Sequence, residues 1–310
     1  RSTRAAAVRT LALGVALAHP ALGGALALPV LVAGAVAAPR RARSAAPTDT
    51  VVEMRAGDRV QLQGIEGRLT IEAWDGDRME VRTDDQAGPL SVRRSGATVR
   101  VAPVDAKGRR RSLDVSVRVP AFVDVEVGGR SLDVVVHGVA GRLTVDNVNG
   151  DVWVQDAGGP VEIRTIQGEI VVSGGVGGVT ASSQSDDVRL RDVAGPVDVH
   201  SGDGDVELMD IRSGAVRVET QDGDIDFSGT VQDGGDYGFF VHDGDATIAI
   251  PSDAQVEVRV STFDGDFESE FPVVLERFTG GREFDFTLGA PRARMEIQVF
   301  DGEIRLLRRM

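Results

Sequence analysis

Four Asp-Gly-Asp triplets recur in the second half of the chain, centred on Gly204, Gly223, Gly244 and Gly265. Carboxylates are hard oxygen donors, and acids at this density suit a calcium ion. Asp203, Asp205, Asp222, Asp224, Asp243, Asp245, Asp264 and Asp266 are therefore the candidate calcium ligands. If the triplets stack, like charges about 5 Å apart repel by about 0.8 kcal/mol in water. Such columns either stay wet or are joined by a cation. A plainer reading needs no ion: Gly reaches the positive φ of a tight corner, and Asp beside it bonds its own backbone. The calcium-binding nonapeptide pattern Gly-Gly-x-Gly-x-Asp does not occur. The reading of the acids as corners is preferred, so no cofactor is expected, with calcium the one possibility left open.

Paired carboxylates also serve glycosidases, which hold two acids about 5 to 9.5 Å apart. Any stacked ladder of acids meets that distance, so the spacing discriminates little. Acid pairs recur in almost every repeat with no one repeat singled out, whereas a catalytic centre should break the regularity. His137, His200 and His242 fall at different offsets from the nearest acid turn and read as solvent or packing residues rather than a metal cluster. Trp153 lies between Val152 and Val154 and should point outward, where it is a candidate ligand contact; Trp74 sits in a turn and could serve likewise. Gly174-Gly175-Val176-Gly177-Gly178 lacks the following helix that a phosphate cradle requires and reads as a corner.

What must position these acids is a repeat. Acid-turn centres fall at 150, 168, 186, 204, 223, 244, 265 and 302, with spacings of 18, 18, 18, 19, 21, 21 and 37. The last interval is read as two repeats with a degenerate turn between them. A second series, Gly141, Gly159, Gly177, Gly195 and Gly214, runs in phase nine or ten residues ahead of the turns from 150 to 223. Each repeat therefore holds two turns and two short strands. Apolar pairs such as Val152/Val154, Ile170/Val172 and Val206/Leu208 follow the acid turns, and Val161/Ile163, Val197/Val199 and Val216/Val218 precede them. Polar residues such as Glu162, Arg189 and Glu207 alternate with them, so each strand has one buried and one wet face. A strand pair of this length cannot bury its apolar face alone, but stacked coils bury a continuous column. The expectation is an all-β chain, a single-stranded parallel β-solenoid with coils of about 18 residues and two short strands per coil.

The ends read as variants of the same unit. Gly67-Arg68-Leu69-Thr70-Ile71 echoes Gly141-Arg142-Leu143-Thr144-Val145, and Asp75-Gly76-Asp77 echoes Asn149-Gly150-Asp151. Val117 to Val125 is echoed by Ile248 to Val258. Residues 85–112 break the phase and suggest a loop or edge hairpin; residues 268–292, richer in Phe, suit a cap on the last open coil. The solenoid spans 51–310.

Ahead of it, Arg1, Arg4 and Arg9 precede an uncharged run from Thr10 to Ala38 that ends in small residues. Residues 1–38 thus read as a secretory signal peptide, with a membrane anchor through residues 10–38 as the rival, and 39–50 as a polar linker. Either reading places the rest in the periplasm, on the outer surface or outside the cell. The absence of Cys from all 310 residues removes disulfide scaffolds, thiolate metal sites and cysteine nucleophiles. The formal charge is -14, and since residues 1–48 carry six Arg and no acid, the remainder carries -20. Such a surface repels nucleic acid and anionic lipid.

Val119-Pro120 leading into Val125-Glu126-Val127, the series Asn149-Gly150-Asp151-Val152, Asp203-Gly204-Asp205-Val206 and Asp222-Gly223-Asp224-Ile225, and the closing Met295 to Ile304 together form an ordered pattern. Over roughly residues 55–308 it resembles the bacterial putative-adhesin family of β-strand-repeat proteins, a family largely of unknown function. The resemblance implies an exported, non-catalytic envelope protein built as a parallel solenoid, and it transfers no active site. The function expected is a cell-envelope binding or structural scaffold whose partner is an envelope protein or a polysaccharide surface. The open terminal coils could also associate end to end. A calcium-stabilised polysaccharide-active β-helix enzyme and a membrane-tethered envelope-stress sensor module are the alternatives.

Overall fold

The computed structural model describes residues 49–83, 90–104, 112–273, 277–279 and 283–309. Residues 1–38, most of the linker and parts of both irregular segments lie outside the described residues. Among the described residues no helix is long and apolar enough to cross a membrane.

The opening strands are β1 (Asp49–Glu53), β2 (Arg59–Trp74), β3 (Arg78–Thr83), β4 (Leu90–Ser95), β5 (Thr98–Pro103), β6 (Leu113–Pro120) and β7 (Asp124–His137). The repeat follows with β8 (Leu143–Asp146), β9 (Val152–Ala157), β10 (Val161–Thr165), β11 (Ile170–Gly175), β12 (Val179–Ser183) and β13 (Val188–Val193). It continues through β14 (Val197–Asp203), β15 (Val206–Ile211), β16 (Ala215–Asp222), β17 (Ile225–Gly229), β18 (Asp236–Asp243) and β19 (Ala246–Pro251). The closing strands are β20 (Val256–Asp264), β21 (Phe267–Ser269), β22 (Arg277–Thr279), β23 (Glu283–Leu288), β24 (Ala293–Asp301) and β25 (Ile304–Arg309).

Within the repeat, each strand pairs in parallel with the strand two further along. Val152 faces Ile170, Ile170 faces Val188, and Val206 faces Ile225, so one coil lies on the next. The chain is therefore a parallel β-solenoid with two strands per coil. Sheet I runs from β8 through β10, β12, β14 and β16 to β18; sheet II runs from β9 through β11, β13, β15 and β17 to β19. The long strands β2 and β7 bend from one sheet into the other and join them. The only antiparallel pairings among the described strands lie at the two ends.

Alternation fixes the core. Val152 and Val154, Val161 and Ile163, and Val206 and Leu208 are buried between the sheets, while Trp153, Glu162 and Glu207 point outward. Each buried Val, Leu or Ile contributes about 1.5 to 3 kcal/mol relative to exposure. The repeat lengthens to 21 residues where the core takes aromatics. Phe227 and Phe239 pack with ring centroids 5.0 Å apart, and Tyr237 beside them is fully buried. The Tyr237 hydroxyl donates to the carbonyl of Ser213 (2.9 Å) and accepts from the backbone N–H of Gln232 (2.8 Å), which pins the longer connection between β17 and β18.

A second periodic device escapes the hydrophobic pattern. Gly138, Asp156, Gly174, Asp192 and Asp210 fall 18 residues apart and all hold φ between 55° and 73°. Each interrupts the alternation so that the following residue, as at Ala157, Val193 and Ile211, turns inward. Asp tolerates this left-handed conformation better than most residues, which is why it alternates with Gly there.

Two sequence expectations are corrected at the ends. The interval from Gly265 to Gly302 is not two repeats with a degenerate turn: β24 pairs with β18 on one side and β20 on the other, and β25 lies between β19 and β21. The last coil in sequence is thus inserted between the two that precede it. The Phe-rich segment does lie on the coil left open, which in space is that of β20: β23 runs antiparallel on β20, beyond the inserted strand. Gly67-Arg68-Leu69 also differs from its expected counterpart. Leu69 faces Val134, which in turn faces Val152, so this stretch corresponds to Gly150-Asp151-Val152 in sheet II rather than to Gly141-Arg142-Leu143 in sheet I. Asp75-Gly76-Asp77 reverses the chain into the antiparallel β3 instead of turning a coil.

Candidate functional site

The acid turns stack in register. Asp203 faces Asp222, Asp222 faces Asp243, Asp243 faces Asp301, and Asp301 faces Asp264, giving an exposed column whose spatial order follows the inserted coil. The centres Gly204, Gly223, Gly244 and Gly302 hold φ between 135° and 140°, and a Cβ on Gly223 would lie 2.5 Å from the carbonyl oxygen of Gly204. Only glycine admits both that conformation and that approach.

The acids after the centres have a different task. Oδ1 of Asp187 accepts the backbone N–H of Asp205 (3.1 Å), Asp205 that of Asp224 (3.0 Å), Asp224 that of Asp245 (2.8 Å), and Asp245 that of Glu303 (2.8 Å). Asp151 does the same for Glu169 at 3.0 Å. A carboxylate accepting a backbone N–H from the next coil makes a charge-assisted bond along the stack. Of the eight acids read as candidate calcium ligands, Asp205, Asp224 and Asp245 therefore spend one oxygen on the ladder, while Asp203, Asp222, Asp243 and Asp264 are exposed and Asp266 lies on the last acid turn in space. Among the described residues no group of three or more His, Cys, Asp or Glu is placed to hold a metal ion.

Trp153 points outward from sheet II but is half-buried, in register with Val135 on one side and Val171 on the other. Trp74 is engaged in its turn: Nε1 donates to the carbonyl of Arg78 (2.9 Å), and the ring lies where a side chain on Gly76 would be. Arg189, two strands along the same row as Trp153, reaches Glu169, Asp187 (2.7 Å) and Glu207 (3.3 Å), an ion-pair cluster on sheet II's outer face.

The outer face of sheet I departs from this polar pattern at one place. His242 of β18, Phe300 of β24 and Phe263 of β20 stand side by side on neighbouring strands. The rings of His242 and Phe300 stack at 4.9 Å, those of Phe300 and Phe263 at 4.6 Å with planes 1° apart. Phe263 is 54% exposed and Phe300 47%. Two residues back, Phe240 lies over Gly238, whose missing side chain leaves room for the ring, with the Arg217 guanidinium 4.6 Å from its centroid. The four rings of Phe240, His242, Phe263 and Phe300 line a groove of about 730 Å³ together with His200, Glu219, Gln221, Ser261, Gln298 and Glu283. His200 sits between Oδ1 of Asp198 (3.2 Å) and Oε2 of Glu219 (3.1 Å).

Sequence reading missed this row. Its signal was present: His242, Phe263 and Phe300 each hold the outward place just before the acid turn, where other coils carry Gly202 and Gln221. Their adjacency was hidden because it depends on β24 lying between β18 and β20.

Two strands per coil, parallel stacking and an acid corner in each coil define a repeat scaffold of the β-solenoid class. The family model Toastrack DUF4097 matches residues 66–307, and the chain belongs to that family. No curated protein sequence matches it. Among solved structures, the chain is similar to a putative adhesin from Bacteroides fragilis (14% identity over 84% of this chain and 97% of that one, TM-score 0.38). A putative adhesin from Parabacteroides distasonis matches at 12% identity over 85% and 98%, TM-score 0.40. A putative lipid binding protein from the same species matches at 11% identity over 84% and 97%, TM-score 0.42.

Proposed function

We propose that this protein is an exported, non-catalytic scaffold of the cell envelope that holds an envelope partner against the outer face of sheet I. The observation that carries this reading is the stacked row His242, Phe300 and Phe263, exposed on a surface whose other outward positions are mostly polar or charged. Contiguous exposed apolar surface costs solubility and marks interaction sites. A regular stack of coils supplies the rigid backing that a binding row needs. The acids fit the same reading as architecture, since one acid per turn bonds the next coil and the repetition singles out no reacting centre. Export rests on the basic and apolar composition of residues 1–38.

Co-sedimentation of the full chain with isolated bacterial envelopes tests the reading. The wild-type chain is expected in the pellet, and a variant carrying Phe263→Glu and Phe300→Glu in the supernatant. Equal distribution of the two would remove sheet I as the binding face.

A further inference from the structure

We infer that the groove on sheet I takes a neutral, linear polysaccharide, an inference that rests on the binding face proposed above and names what occupies it.

The groove's geometry points to a repeating ligand. It crosses five neighbouring strands, β14, β16, β18, β24 and β20, and draws outward residues from each. Gln221, His242, Phe300 and Phe263 form one wall; Glu219, Phe240, Gln298 and Ser261, in register two residues earlier, form the other. Strands about 4.8 Å apart give the groove a run of about 19 Å that offers a similar pair of positions at every step. A linear polymer meets such a surface repeatedly, unit by unit, and the repeat of a pyranose chain is of the same order as the strand spacing.

The chemistry of the walls narrows the polymer. Three consecutive rings on one wall face carboxylate, amide and hydroxyl groups around Phe240 on the other, so a ligand must offer apolar C–H surface and hydroxyls along its length. Sugars do both, their C–H groups facing the negative π-system and their hydroxyls the polar tips. An extended peptide would bind a sheet through an unpaired strand edge. Here β14, β16, β18, β24 and β20 all have partners on both sides, which leaves no edge for it.

Charge decides between polysaccharides. The aromatic wall is bordered by the exposed column Asp203, Asp222, Asp243, Asp301 and Asp264, and Glu219 and Glu283 stand on the opposite side. A polyanion laid in the groove would meet this field, with the Arg217 guanidinium over Phe240 as an opposing charge beside the wall, so the groove favours neutral polymers over uronic or phosphate-bearing ones.

Affinity electrophoresis of the full chain tests the inference, in native gels containing hydroxyethyl cellulose, mixed-linkage β-glucan, galactomannan or dextran, with polygalacturonate as the anionic counterpart. At least one neutral polymer is expected to retard the protein, and polygalacturonate to leave it unretarded. Phe300→Ala and Phe263→Ala should each weaken retardation about tenfold, and Gln298→Ala severalfold, with melting shifted by only a few degrees because all three side chains are exposed and the Phe variants lose only ring stacking. Retardation that survives both Phe substitutions would place the site elsewhere, and preference for polygalacturonate would overturn the charge argument. If no neutral polymer retards the chain while the Phe263→Glu, Phe300→Glu variant still loses envelope binding, the face is right and its partner is a protein or another class. Loss of both binding results would remove the face and the polysaccharide together.

Discussion

Oδ1 of Asp224 lies 2.8 Å from the backbone nitrogen of Asp245, one coil further on, and accepts its hydrogen. The bond gives a surface acid a structural task, because it ties two coils at their sharpest corner. Asp224→Ala should therefore cost about 1.5 to 3 kcal/mol, the range for a hydrogen bond to a charged group. Asp222→Ala, two residues away on the exposed column, should fall within about 0.5 kcal/mol of wild type. Urea unfolding of the two variants separates them. Equal losses would mean that the ladder contributes nothing.

The same ladder sets the expected response to calcium. With one oxygen of Asp205, Asp224 and Asp245 already bonded to backbone, the turns are poorly arranged to surround an ion. Melting in millimolar calcium should fall within about one degree of melting in EDTA. A calcium-dependent rise of several degrees would make ligands of the acid columns after all.

Glycines at the corners differ in what they tolerate. A Cβ on Gly223 meets the carbonyl oxygen of Gly204 at 2.5 Å with φ at +139°, so Gly223→Ala must shift the neighbouring coil. The expected cost is about 3 kcal/mol or more. Gly234 also has positive φ, +77°, but nothing lies within 4 Å of its added Cβ, and Gly234→Ala should cost only about 1 kcal/mol of backbone strain. Thermal melts of the pair measure the close stacking directly.

Local periodicity and non-local pairing explain what could be read from the chain beforehand. Val152/Val154 and Val206/Leu208 announce their strands because one coil dictates the next through burial at period two. The insertion of β24 and β25 was illegible, since Asp301-Gly302-Glu303 would make the same acid turn wherever it stacked. The binding row suffered from this directly: Phe300 and Phe263 are 37 residues apart in sequence and in contact only through the insertion. Asp156, Asp192 and Asp210 were legible in principle, as they share an 18-residue phase with Gly138 and Gly174, but a hydrophobic search does not look at outward acids.

Two carboxylates respond to acid with opposite sign. Asp58 is buried; the Arg94 side chain bonds it at 2.7 Å and, with the backbone N–H of Arg55 at 2.8 Å, outweighs the effect of burial, holding its pKa below the ordinary 3.8. Its stabilisation is complete above pH 3.8 and is lost as pH falls through the lowered value. Asp151 is raised, by burial first and then by Asp133 and Asp186. Its contribution is favourable below pH 3.8 and is lost as pH rises through the raised value. At pH about 7, Asp58→Asn should cost about 2 kcal/mol, because Arg94 keeps the carbonyls of Glu53 and Gly96 but loses its carboxylate. Asp151→Asn, which keeps an oxygen for Glu169, should raise Tm at neutral pH; that gain should vanish below pH 3.8, where the Asp58→Asn loss only begins to fade. Melting curves across that range check the signs.

Inserting the last coil between its two predecessors makes the end of the solenoid cooperate in an order that differs from the sequence. Ile297 is fully buried and faces Phe239 of β18 on one side and Val260 of β20 on the other. Ile297→Asp buries a charge and should cost several kcal/mol, about 3 to 5. Because coils are stabilised by their neighbours in space, the loss should spread to both contacting strands. Hydrogen exchange should then show faster amides in β18 and β20 together, with β8 and β10 at the far end still protected. Val145→Asp in β8 should give the reverse pattern, with fast amides in β7 and β10 and protection kept from β18 onward. If the coils were stacked in chain order, β18 would pair with β20 directly, and Ile297→Asp would leave the amides of 236–243 protected.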